Sequence, residues 1–97
     1  MIDLKKKFLI YGYGISGKSI AKYLKNRNSN YQIYDDNIIS LKSPKVINKN
    51  LVIKNIKKFN YFVVSPSIKI DKNHFLFPYK NQIIIDLDFL SLELKQK

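Results

Sequence analysis

The chain has no cysteine and no tryptophan, and only three glycines and three prolines in 97 residues. Without cysteine there is no disulfide framework and no thiolate metal site. A fold of this size must then rest on its hydrophobic core, with little stability to spare. Acids are scarce too, seven against eighteen basic residues, and Arg27 is the single arginine. No apolar run approaches the ~20 residues of a membrane span. Lys5, Lys6 and Lys7 are followed by only Phe8 to Tyr11, too short for a signal-peptide core. These absences lead us to expect one small cytoplasmic domain with no membrane partner.

A formal charge of +11 points first to nucleic acid or an anionic surface. The lysines, however, are spread along the chain, and arginine, the better bidentate reader of phosphate and guanine, is nearly missing. The richness in Lys, Asn, Ile, Tyr and Phe follows AT-rich codons. The expectation is therefore no nucleic-acid partner, with the charge serving to attract an anionic nucleotide.

The three glycines fall close together, at 12, 14 and 17. Before them, Phe8 to Tyr11 reads as a short buried strand. After them, Ile20, Ala21 and Leu24 share one helical face, and Lys18, Lys22 and Lys25 a solvated one. A strand, a glycine turn and a helix aim free backbone N–H groups and a partial positive charge at an anion. Gly12-Tyr13-Gly14-Ile15-Ser16-Gly17 is G-x-G-x-x-G, the dinucleotide fingerprint, and Gly12 to Ser19 is also G-x-x-x-x-G-K-S, the P-loop pattern. A Rossmann-type unit needs an acid about 20 residues on, at the end of the second strand. Tyr31 to Tyr34 is that strand, closed by Asp35 and Asp36. A P-loop would take Asp86 after Ile83 to Ile85 as its magnesium ligand, but the chain is short for such an enzyme.

The remaining elements follow from local pattern. The helix after the turn is predicted over Ser16 to Asn26, stopped by Arg27 to Asn30. Val46 and Ile47 make a short third strand after Ser43-Pro44. Leu51 to Lys58 reads as a weak helix, and Tyr61 to Val64 as a strand ending at Ser65-Pro66-Ser67. Asp71 to Tyr79 stays unassigned. Ile83 to Ile85 is a buried strand, and Asp86 caps a final helix whose Leu87, Leu90 and Leu94 share a face. The fold class is α/β: a Rossmann-like three-layer sandwich with a mostly parallel five-stranded sheet, order 3-2-1-4-5.

Three segments in order carry a resemblance. GYGISG at 12–17 resembles a G-x-G-x-[ST]-G loop, FVVSPSI at 62–68 an apolar strand followed by S-P-G-[IV], and IIIDLDFL at 83–90 a strand leading into D-[IL]-E-[LF]. Together they resemble the N-terminal domain of a Mur ligase, of the UDP-N-acetylmuramoyl-L-alanine:D-glutamate ligase branch. Ser67 stands where that pattern has Gly, Asp88 where it has Glu, and Asn37 where a basic residue follows the acid.

The resemblance implies that residues 1–97 form one Rossmann-like domain holding the UDP part of UDP-N-acetylmuramoyl-L-alanine. It implies bacterial cytoplasm. It also implies a larger ligase whose central ATP-binding and C-terminal domains are absent here, so that ATP and magnesium belong to the full enzyme and this domain binds no cofactor. The implied UDP-binding residues are Gly12, Gly14, Ile15, Ser16 and Gly17 at the diphosphate, Asp35 and Asp36 at the uracil end, and Ser67 lining the crevice. No catalytic residue and no metal ligand is assigned. Lys18 and Ser19 then imitate a P-loop without doing its work. From the residues alone, a stand-alone NAD(P)- or FAD-binding module and a truncated P-loop NTPase stay open. His74 reads as a surface or packing residue, Ser65 and Ser67 as turn residues, Tyr11 as core, and Tyr13 as a candidate platform for a base at the crevice.

Overall fold

The computed structural model describes residues 2–37 and 39–95, with the side chains of 90 and 92–95 left aside. Four strands form one sheet: β1 (Lys7–Tyr11), β2 (Asn30–Tyr34), β3 (Tyr61–Val64) and β4 (Ile83–Ile85). All described pairings are parallel, and the order is β2-β1-β3-β4. The helices are α1 (Ile15–Asn26), α2 (Lys49–Lys54) and α3 (Asp86–Lys95), with short 3-10 turns at Ile56–Lys58 and Phe77–Gln82.

Period-two alternation in the strands sends side chains to both faces, as a sheet covered on both sides requires. Phe8, Ile10, Tyr31, Ile33 and Val63 pack with Ile20, Ala21 and Leu24 of α1 and Phe89 of α3. Leu9, Tyr11, Tyr34, Phe62 and Val64 face the other way, onto Val52 of α2 together with Phe59 and Leu76. The result is an α/β arrangement compatible with a Rossmann-like fold.

The expected five-stranded sheet and its 3-2-1-4-5 order are corrected to four strands, order 2-1-3-4. Val46 makes only an isolated parallel bridge to Ile33. The Ile33 N–H donates to the Lys45 carbonyl at 2.7 Å, and the Ile47 N–H to the Ile33 carbonyl at 2.9 Å. Pro44 just before and the Asn48 helix cap just after leave no room for a longer ladder; the Asn48 side chain accepts from the Leu51 N–H at 2.9 Å. The helix expected over Leu51 to Lys58 likewise starts earlier at this cap and ends at Lys54.

The final helix also differs in its buried face. Leu87 is exposed, and Phe89 is the fully buried apolar residue among the described side chains of this helix. It meets Phe8 edge-on at 5.9 Å and Tyr23 at 5.9 Å. The expected partners Leu90 and Leu94 lie outside the described side chains. Among the described residues, no helix is long and apolar enough to cross a membrane.

Candidate functional site

The three glycines do different work. Gly12 ends β1 with φ +100°, a left-handed conformation that L side chains rarely adopt, and a Cβ there would lie 2.8 Å from the Ser65 Cβ. Gly17 sits in α1 where a Cβ would drive into the Gly12 carbonyl oxygen, so it lets the helix approach the turn. Gly14 is unconstrained by the fold, since a Cβ there meets nothing within 4 Å. It caps α1 from an extended conformation without any side-chain hydrogen bond, and no acid lies in the first helical turn. The leading N–H groups of a helix have no intrahelical acceptor. At Ile15, Ser16 and Gly17 no side chain among the described residues replaces one. Ile15 itself is 89% exposed beside them.

Helix α1 opens at Ile15, one residue before the expected start. This separates the two overlapping patterns. In this turn Ser16 to Ser19 are already helical, and the Ser19 hydroxyl donates to the Ile15 carbonyl at 3.2 Å. Lys18 lies over the Tyr13 ring, 5.7 Å from its centroid. The turn between β1 and α1 is thus only three residues long, Gly12 to Gly14, shorter than the loop with which a P-loop wraps phosphate.

Asp35 follows β2 and is tied to this turn. One carboxylate oxygen accepts the Tyr13 N–H at 2.7 Å, and the other accepts the Asn37 N–H at 2.9 Å. Beside it, the Gly12 N–H donates to the Tyr34 carbonyl at 2.8 Å. The acid expected at the nucleoside end thus also fixes the glycine turn to the end of β2. Asp36 turns the other way. Its carboxylate accepts from the Tyr11 hydroxyl at 2.8 and 2.9 Å and from the Tyr34 hydroxyl at 3.0 Å. Burial and the Asp36 hydrogen bond push the Tyr34 phenol up to about 12, and hold Tyr11 higher still. Both tyrosines therefore stay protonated donors throughout the neutral range.

Two cavities meet at Asp36 and Lys49. One, of about 520 Å³, runs from Asp35 and Asp36 past Ile39 and Val46 to Asn48 and Leu51. The other, of about 440 Å³, is lined by Tyr11, Asn73, His74 and Phe75 as well as by Asp36 and Lys49. On the far side of the turn, Tyr13 and Lys18 open onto a third hollow of about 420 Å³. The clefts lie at the carboxyl ends of β1 and β2, where open α/β sheets take their ligands.

The structure brings Gly12, Gly14, Ile15, Ser16, Gly17, Asp35 and Asp36 together at one end of the sheet. Ser67 is exposed in the turn after β3, its hydroxyl 3.1 Å from that of Ser65. That turn is docked on β1 through the Ser65 N–H, which donates to the Tyr11 carbonyl at 3.0 Å. Asp86 stands inside the first turn of α3 rather than ahead of it as a cap. It is 3% exposed, and its Oδ1 has no hydrogen-bond partner among the described residues. Burial raises its carboxyl above the usual range, and the Leu87 N–H pulls it partly back. Among the described residues, no group of three or more His, Cys, Asp or Glu side chains is placed to hold a metal ion.

Tyr34 and Lys49 also line these clefts without having been singled out, and His74, read as a surface or packing residue, packs against Tyr11 and Phe75 at the same end of the sheet. Tyr11 and Tyr34 are register partners on neighbouring parallel strands, and each immediately precedes a turn that carries candidate site residues, which is a readable signal once the strands are aligned. His74 offers none. Its Nε2 lies 3.1 Å from the Tyr11 hydroxyl across 63 residues of sequence. Searches against family models, curated proteins and solved structures find no match.

Proposed function

We propose that this domain holds the UDP moiety of UDP-N-acetylmuramoyl-L-alanine. In this reading it is the first domain of a cytoplasmic bacterial ligase that uses ATP and magnesium, held on other domains, to add D-glutamate. The three ordered motifs supply the substrate's name. The geometry supplies the chemistry. The observation that carries the reading is the uncapped start of α1 at Gly14, open to solvent and next to Tyr13, whose N–H is held by Asp35 of the cleft. A diphosphate at Ile15 and Ser16 meets free N–H groups and the helix dipole. From there a nucleoside reaches the cleft, where a carboxylate accepts from a base N–H or a ribose hydroxyl. The domain binds and orients; it contributes no reacting group.

A dinucleotide-binding module is the second reading, favoured by the acid at the end of β2, which in such folds meets the ribose 2′-hydroxyl. The truncated P-loop reading is weakened by the helical start at Ile15 and by the Ser19 hydroxyl, which is spent on the helix itself.

Calorimetry with UDP, NAD, ATP and inorganic diphosphate ranks these readings. UDP binding that exceeds NAD and ATP supports the ligase domain. NAD binding that exceeds UDP transfers the site to a dinucleotide module, and ATP turnover by the purified chain revives the P-loop.

A further inference from the structure

A directional chain of hydrogen bonds ends on the acid of the cleft. The Leu76 N–H donates to His74 Nδ1 at 3.0 Å. That nitrogen is therefore an unprotonated acceptor, and the imidazole proton sits on Nε2. Nε2 lies 3.1 Å from the Tyr11 hydroxyl. The Tyr11 hydroxyl in turn donates to the two oxygens of Asp36, at 2.8 and 2.9 Å. Only one arrangement satisfies every partner: Leu76 N–H to Nδ1, Nε2–H to the Tyr11 oxygen, and the Tyr11 O–H to Asp36.

We propose that this chain couples protonation of His74 to ligand affinity at the Asp35–Asp36 cleft, so that the site loses its ligand in acid. The proposal rests on the nucleotide-binding reading above. A second proton on the imidazole must go to Nδ1, where the Leu76 N–H already points, and donor then faces donor. Leu76 is fully buried in the lower core, so it is the exposed side of the turn that yields. The ring leaves its place, taking with it the wall that His74 and Asn73 give the cavity beside Asp36.

The groups that face the imidazole come from every neighbouring element. Tyr11 of β1 and Asp36 after β2 lie on one side. Lys49 of α2 and Asp71 of its own turn complete the set. An imidazolium is drawn to Asp36 and Asp71 and repelled by Lys49. It therefore competes with Tyr11 for the Asp36 carboxylate and shifts the acid from the position in which Tyr11 and Tyr34 hold it. A ligand seated against Asp36 favours the neutral ring, and by reciprocity the neutral ring favours the ligand.

His74 is the sole histidine, so its ring resonances report one site. In the ligand-free chain, the Leu76 amide is expected to lose hydrogen-exchange protection, beyond the intrinsic pH dependence of exchange, as the His74 resonances titrate. Unchanged protection overturns the relay. With UDP, the wild type is expected to bind about tenfold more weakly at pH 5.5 than at pH 8, within the usual range of coupling between sites. In Tyr11→Phe, which cuts the link between His74 and Asp36, the fall is expected to shrink to what UDP's own phosphate titration causes. His74→Phe keeps a ring beside Phe75 and removes the proton. It serves the same purpose if Tyr11→Phe does not fold. An equal fall in wild type and variants overturns the coupling while leaving the nucleotide reading intact. No UDP binding at pH 8 overturns both.

Discussion

Replacing Gly12 and Gly14 separately tests the glycine turn, because the structure assigns them opposite roles. At Gly12 the backbone is left-handed, which costs an L-residue roughly 1–2 kcal/mol. The added Cβ would also sit 2.8 Å from the Ser65 Cβ and 3.3 Å from the Ile68 Cδ1. Neither neighbour is the loose end of a long chain, so overpacking adds about 1–3 kcal/mol. Gly12→Ala is therefore expected to destabilise by about 2–5 kcal/mol, a large part of the roughly 5–15 kcal/mol that holds a domain together.

At Gly14 the backbone is extended and the Cβ meets nothing. The stability gained because alanine lowers the entropy of the unfolded chain, about 0.4–1 kcal/mol, offsets a similar loss of helix-cap preference. Gly14→Ala should then leave stability within about 0.5 kcal/mol of the wild type, by that same balance. Gly14→Val should fold as well, yet fill the space through which a diphosphate reaches the Ile15 and Ser16 amides. Its UDP affinity is expected to fall at least about a hundredfold, or about 3 kcal/mol. Urea unfolding followed by circular dichroism measures the stabilities, and calorimetry measures binding. Two results would refute the reasoning: Gly14→Ala as unstable as Gly12→Ala, or Gly14→Val binding UDP like the wild type.

Asp35→Ala removes two hydrogen bonds to a half-exposed carboxylate, expected to cost about 2 kcal/mol of stability after allowance for solvent. Because one of those bonds fixes the Tyr13 amide, UDP and diphosphate affinities should fall together; calorimetry showing loss for UDP alone would place Asp35 on the nucleoside only. Asp86→Asn removes a buried charge that has no partner for Oδ1. Its carboxyl is raised in the folded state, so the charged form costs stability as pH rises through the folded value, and at pH 7 the variant should gain about 1 kcal/mol, or roughly 4–8 °C in a thermal melt. For His74 the folded value is depressed, chiefly by burial, below the ordinary imidazole range. Stability is therefore complete above about pH 6.5 and is lost as pH falls from there through the folded value. The gap between the thermal melts of wild type and His74→Phe should stay constant from pH 8 to about pH 6.5 and change only below it.

The parts of this architecture that repeat locally were legible in the sequence. FLIY, YQIY, YFVV and III lie where strands were expected, because short β-rich runs bounded by glycine, asparagine and serine have little other use. The glycine turn and Asp35 were legible for the same reason, since their spacing is set by one strand–helix–strand unit. What escaped depends on distant partners. Val46 carries strand propensity, but Pro44 and the Asn48 cap confine its pairing to a single bridge. In the last helix, apolar spacing favours Leu87 as readily as Phe89. Only the position of Phe8 and Tyr23 across the layer decides that Phe89 is the one to be buried. The Tyr11–Asp36–His74 contacts join three separate connections at the end of the sheet, and no local pattern announces such a meeting.

The central place of β1 has a consequence for how the chain acquires its shape. Phe8 is in register with Tyr31 on one side and Tyr61 on the other, so the earliest strand in the sequence is completed only when much later segments arrive. Parallel pairing allows no tight hairpin in between, and each partner must be brought home across a long connection before its ladder repays the closure entropy. On a ribosome, FLIY waits uncovered until Tyr61 to Val64 has emerged. The lysines at 5–7 and those along α1 flank this apolar run. Copies of so basic a chain repel one another, which opposes pairing through that open strand edge while it waits for its partner.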